Sequence, residues 1–258
     1  MCFPLNIAYI NTRSRGQNRV DPALRTMNFG GRMQDNLSKL NNIIIVTGHF
    51  GAGKTNFAVN LAKFYASNKR KVTLVDLDIV NPYFRAADNR DELEALGVRC
   101  IIPEFANTNV DIPTLPPDIY SVFADYETES SRVTIFDVGG DNGAAALGMY
   151  ADRIKNVGYD LLYCANCYRP LTEAPEDALE ILREVEYSSR LIASGIVNTS
   201  NLGGETTPDD LRNSLPYIER LCELSGLPLV CNVIERKAND GLDIDRLFCI
   251  DNATKKLY

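Results

Sequence analysis

Ile43-Ile44-Ile45-Val46-Thr47-Gly48-His49-Phe50-Gly51-Ala52-Gly53-Lys54-Thr55 is the stretch that decides how this chain is read. Residues Ile43 to Val46 are four consecutive β-branched residues, the pattern of a strand buried on both faces. Gly48 to Thr55 then fits the phosphate-loop pattern G-x-x-x-x-G-K-[ST]. Gly48, Gly51 and Gly53 allow a tight turn in which successive N–H groups face one anion. Phe57, Ala58, Leu61, Ala62, Phe64 and Tyr65 follow at helical spacing. A helix starting there aims its positive end at the same anion. The loop residues Gly48, His49, Phe50, Gly51, Ala52, Gly53, Lys54, Thr55 and Asn56 are therefore candidate nucleotide contacts. In this pattern Lys54 meets the β- and γ-phosphates and Thr55 holds Mg²⁺.

Outward from the loop, strand and helix patterns alternate. Strands are expected at Val72–Val75, Val98–Ile102, Val133–Phe136, Asp160–Cys164, Leu191–Val197 and Leu227–Val233. Helices are expected from Asp88 to Leu96, from Pro116 through Tyr126, from about Ala144 to Asn156, and from Glu173 to Glu186. A further helix starts at Thr207 as cap with Pro208 in its first turn, and Pro216 should kink or split it. Ile244 to Lys256 reads as a last helix. Such alternation implies an α/β fold, a mostly parallel sheet with helices on both faces. Ligands of such sheets sit beyond the carboxyl ends of the strands. Gly48, Asp78, Asp137 and Asn198 each follow a predicted strand.

Metal-bound phosphates need nearby carboxylates. Asp76 and Asp78 end one strand and Asp137 ends another, so one carboxylate can orient water while others support Mg²⁺. Asp137 with Gly140 reads D-x-x-G, which places a Mg²⁺-water ligand and a γ-phosphate-sensing N–H. The metal candidates are Thr55, Asp76 and Asp137, and the catalytic candidates are Lys54 and Asp78.

Residues 1–40 differ from the rest. Six basic side chains stand there against Asp21 and Asp35, and Gly and Asn interrupt any period. We read a flexible basic extension over 1–40 and one nucleotide-binding domain over 41–258. The formal charge of −7 argues against a general polyanion-binding surface, so nucleic acid is an unfavoured partner. No uninterrupted apolar run approaches the ~18 residues of a membrane span. Seven scattered cysteines suit reduced thiols in a cytoplasmic protein. Cys164-Ala165-Asn166-Cys167 is a lone C-x-x-C, which supplies only two of the four ligands a structural metal needs. Arg85 and Arg169 follow strand ends, within reach of phosphate or a partner.

Three stretches together carry a resemblance: Gly48 to Thr55, Val-Asp-Leu-Asp-Ile-Val-Asn-Pro at 75–82, and Phe-Asp-Val-Gly-Gly at 136–140. They resemble the MinD/ParA-type ATPases of the SIMIBI class, with a deviant Walker-type phosphate loop. Closer still, the loop with Asp-Ile-Val-Asn-Pro-Tyr-Phe-Arg at 78–85 resembles a bacterial branch of the CobQ/CobB/MinD/ParA nucleotide-binding domains. The resemblance covers about residues 42 to 250. It implies a three-layer P-loop NTPase sandwich that binds ATP and Mg²⁺ and hydrolyses the β–γ anhydride. It implies that Asp78 orients the attacking water, that Asp137 and Gly140 form a second switch, and that Asn198 contacts adenine. It also implies a homodimer or another protein partner. Many relatives carry a signature lysine directly after the first loop glycine; here that residue is His49, the chain's single histidine. The replacement points to slow or partner-dependent turnover. Two alternatives stand beside the ATPase: an ATP-dependent ligase or amidase that activates a small-molecule carboxylate, and a nucleotide switch that does not hydrolyse.

Overall fold

The computed structural model describes residues 36–77, 89–101, 119–124 and 131–253. β1 (Ile43–Thr47) is followed by α1 (Lys54–Ser67), β2 (Lys71–Asp76), α2 (Arg90–Ala95), β3 (Arg99–Ile101) and α3 (Ile119–Ala124). β4 (Arg132–Asp137), α4 (Asp141–Gly148), α5 (Ala151–Val157), β5 (Tyr159–Ala165) and α6 (Pro175–Ser189) come next. The chain continues with β6 (Gly195–Asn198), α7 (Pro208–Ser225), β7 (Leu229–Glu235) and β8 (Leu247–Ile250). The strands of the described residues lie in one parallel sheet, in the order β3-β2-β4-β1-β5-β6-β7-β8.

β1 shows why its sequence is apolar without alternation. Ile44 and Val46 join the core on one face of the sheet, with Phe57, Ala58 and Leu61 of α1 and Leu93 of α2. Ile43 and Ile45 join the core on the other face, with Leu147 of α4, Ile154 of α5, Leu182 of α6 and Ile218 of α7. Both faces are therefore covered, and the expected three layers are present.

Elsewhere the sequence reading needs correction. The described part of the expected last helix, residues 244–253, is not helical. Leu247 to Ile250 form β8, with Phe248 and Ile250 turned inward and buried. Phe248 meets Phe57 and Phe64 edge to face, at centroid distances of 5.9 and 6.1 Å. Beyond β8 the chain is held on a polar stripe of α1. Asn60 bonds the N–H and carbonyl of Asp251, and the Asn56 side chain accepts from the Ala253 N–H. These long-range partners outweigh the weak helical period of the segment.

Pro216 does not split α7, which runs unbroken from Pro208 to Ser225. Thr207 caps it as expected, and Asp210 completes a reciprocal capping box. The helix expected over Ala144–Asn156 is two helices, divided at Met149 and Tyr150. Strand β6 begins at Gly195, where a Cβ would lie 2.4 Å from Val230 Cγ2, so β7 can approach only a glycine.

Described residues ahead of Asn41 also pack on the fold. Leu37 is fully buried in the α1 core, and its carbonyl accepts from the Tyr65 hydroxyl. The remainder of the predicted extension, residues 1–35, lies outside the described residues, as do Asp88 and the prolines at 116 and 117.

Candidate nucleotide site

Glycine is required at the start of the loop after β1. Gly48 has φ +149°, and a Cβ there would come within 2.4 Å of the Cys164 carbonyl oxygen on β5. Gly51 and Gly53 take φ +74° and +93°, which L side chains rarely adopt. The loop thereby turns back onto the start of α1. Ala52 N–H and the Lys54 ammonium both donate to the His49 carbonyl, at 3.1 Å each. Lys54 is buried, so its charge is held under the loop rather than in solvent.

α1 carries no acidic residue in its own first turn. Its cap, Gly53, makes no side-chain cap bond. The orphan N–H groups of a 14-residue helix face the loop.

Two carboxylates stand on the same side. Asp76 and Asp137 are register partners at the ends of β2 and β4, and Val46 pairs with Asp137 on β1. Alternation puts both carboxylates on the α1 face, because Leu74 and Ile135, two residues earlier, pack in the α1 core. Both are buried. Cys164 marks how close the charges come. Burial pushes its thiol far above the ordinary range, while Lys54 pulls it down and Asp137 pushes it up. A buried cation at an uncapped helix start with two buried carboxylates suits a polyphosphate carrying a divalent metal.

A cavity of about 640 Å³ opens beside the loop at the carboxyl ends of the strands. His49, Phe50, Gly51, Gly53, Lys54, Thr55 and Asn56 form one wall. Arg169 and Leu171 after β5, Thr199 and Asn201 after β6, and Val233 to Glu235 of β7 form the others. Gly48 and Ala52 of the loop do not line the cavity, and neither does Gly140, the cap residue of α4.

Asn198 does not line this cavity. It is fully buried, and its amide donates to Ser214 Oγ and Asn232 Oδ1, each at 2.9 Å. Its Oδ1 accepts from the Ser200 N–H at 3.1 Å. The side chain therefore shapes the loop whose Thr199 and Asn201 face the cavity. Sequence reading missed those two, along with Leu171 and the end of β7. Their signal was position, after or at a strand end, rather than residue type. Asp78 and Arg85 lie outside the described residues.

The six described cysteines are free, and burial raises the thiols of both Cys164 and Cys167. Among the described residues no three His, Cys, Asp or Glu side chains gather into a metal cage. Mg²⁺ at a phosphate site needs only one or two carboxylates beside the phosphates themselves. Among the described residues no helix is long and apolar enough to cross a membrane.

Comparisons agree with the geometry. No curated protein matches the chain in sequence. Among solved structures, the chain is similar to FtsY from Mycoplasma mycoides, at 18% identity and TM-score 0.52, covering 84% of this chain and 69% of that one. It is also similar to the cell division protein FtsY from Thermotoga maritima, at 20% identity and TM-score 0.50, covering 86% and 71%. At such identities the likeness speaks for the fold, an α/β P-loop NTPase sandwich. The family model of the CobQ/CobB/MinD/ParA nucleotide binding domain matches residues 43–256, and the chain belongs to that family, within the SIMIBI class of P-loop NTPases.

Proposed function

We propose that the chain is a Mg²⁺-dependent ATPase that couples nucleotide binding to a protein partner or to a second copy of itself. One observation carries this reading: Lys54 sits buried at an uncapped helix start, on the sheet face that also bears Asp76 and Asp137. Bound Mg²⁺ would supply positive charge against the phosphates. Lys54 and the loop N–H groups stabilise negative charge on the transferring phosphoryl group. Thr55 and Asp137 would hold the metal and its water, with Asp76 in support, and Gly140 would report on the γ-phosphate. Asp78, two residues beyond Asp76, would place the attacking water. ATP rather than GTP is proposed on the resemblance to the MinD/ParA group. Cytoplasmic residence is proposed on the free thiols.

Phe50, Leu171 and Leu202 are large, apolar and exposed. Phe50 and Leu171 also line the cavity, so apolar surface adjoins the nucleotide. That arrangement favours a partner drawn to the loaded site. Phosphate release should be measured with Mg·ATP and Mg·GTP, for the native chain and for Asp78→Ala. We expect ATP turnover that falls at least about 100-fold in Asp78→Ala, a loss typical of a misplaced reactant. Turnover unaltered in the variant removes Asp78 from the mechanism. Tight binding without turnover, alone or with partners, would make the protein a switch. Turnover that depends on an added small-molecule carboxylate would make it a ligase.

A further inference from the structure

The mechanism above leaves one cation of the cavity unused. Arg169 lies four residues beyond β5, and its Nε donates to the Gly51 carbonyl at 2.8 Å. That is its hydrogen bond in this structure, and no carboxylate among the described residues pairs with it. Its two terminal amino groups remain available at a cavity wall shared with Lys54 and Thr55. Several other surface arginines are engaged by carboxylates, as Arg183 is by Glu186 and Arg212 by Asp209.

The backbone that carries Arg169 is fixed. Asn166, fully buried, accepts from the Tyr168 N–H through Oδ1 and from Thr172 Oγ1 through its carbonyl. The Tyr168 hydroxyl donates to the Asp210 carbonyl, and the Cys167 N–H to Ser200 Oγ. Pro170 follows directly and restricts the chain. Gly51 leaves room for the guanidinium: a Cβ at residue 51 would lie 3.3 Å from Arg169 Nε. A planar fork held by one N–H, on the wall of a cavity that the phosphate loop also lines, suits bidentate recognition of phosphate.

We propose that Arg169 is a phosphate ligand supplied by the same chain, which keeps Nε on the Gly51 carbonyl and engages terminal-phosphate oxygens with its amino groups. The proposal rests on the nucleotide reading above. It assigns to this chain a second fixed cation beside Lys54, so the charge of a triphosphate is met without a residue from another molecule. It also gives the site a means to tell a triphosphate from a diphosphate.

The test is the ratio of affinities for a non-hydrolysable ATP analogue and for ADP, both with Mg²⁺, measured by calorimetry. The chains compared are the native protein, Arg169→Ala, Arg169→Lys and Lys54→Ala. A charge-assisted bond to phosphate sets the expected size, about 10- to 100-fold. We expect Arg169→Ala to lose that factor for the analogue and less than about 3-fold for ADP, with a thermal midpoint close to native. Arg169→Lys should recover part of the loss, since it keeps the charge without the fork. A role confined to holding the loop would weaken both nucleotides equally. That result, or an unchanged ratio in Arg169→Ala while Lys54→Ala loses binding, overturns the Arg169 assignment alone. A native chain that binds neither nucleotide overturns the nucleotide reading and this proposal with it.

Discussion

Gly48 is the residue on which the loop geometry depends most. Its backbone conformation and its approach to the Cys164 carbonyl both exclude a side chain. Gly48→Ala should therefore lower the thermal midpoint and abolish nucleotide-dependent stabilisation, read by a melting curve with and without Mg·ATP. A variant that melts and responds like the native chain would show that the loop can shift. This residue was legible in the sequence because the pattern G-x-x-x-x-G-K-[ST] ties glycine and lysine to one anion at fixed spacing. Asn198 is a different case. Its place after a strand was right, but its amide is consumed by Ser214 and Asn232, which come from other elements. Hydrogen-bond partners remote in sequence leave no local trace, and Arg169 on Gly51 is a second case.

At the scale of elements, the strands announced themselves where both faces are buried. β1, β4 and β5 are apolar runs ended by polar or small residues, and each was legible within a residue or two. β8 was not, because its four residues sit between a polar loop and a tail, and their spacing also fits a helix. Phe248 tests the correction. It packs on Phe57 and Phe64, so Phe248→Ala should cost about 3–5 kcal/mol in a denaturant titration. A loss below 1 kcal/mol would mean that β8 is not part of the core. The start of α7 was legible down to its cap, since Thr207 and Asp210 have the required spacing. Thr207→Ala should destabilise by about 1 kcal/mol, with Thr207→Ser recovering most of it. Pro216 leaves α7 unsplit for a reason of packing. Ile218 and Leu221 after it are anchored in the core, and they hold α7 on course through the lost backbone bond.

For the whole molecule, the fold was legible because one rhythm of strand and helix runs from residue 43 to β7. The last helix was the error, and it replaced a strand that extends the same parallel sheet. Burial of ionisable groups gives the entire domain a pH signature. Burial raises the thiols of Cys164 and Cys231 above their ordinary value of 9.0 and the phenols of Tyr65, Tyr163 and Tyr217 above 10.0. These groups stay protonated in the folded chain while the unfolded chain releases its protons. The stability they lend is complete below about pH 9 and declines as pH rises beyond it. Denaturant titrations should show a falling midpoint between pH 9 and 11, and a constant midpoint would place these groups in water.

Equilibrium binding of Mg·ATP to the native chain and to Lys54→Ala, followed by titration calorimetry, tests most directly the claim that a polyphosphate lies against the loop after β1. The account predicts saturable heat from the native chain at one site per protein molecule, weakened by at least about 10-fold in the variant. No heat from the native chain, or equal affinity in both proteins, would contradict it.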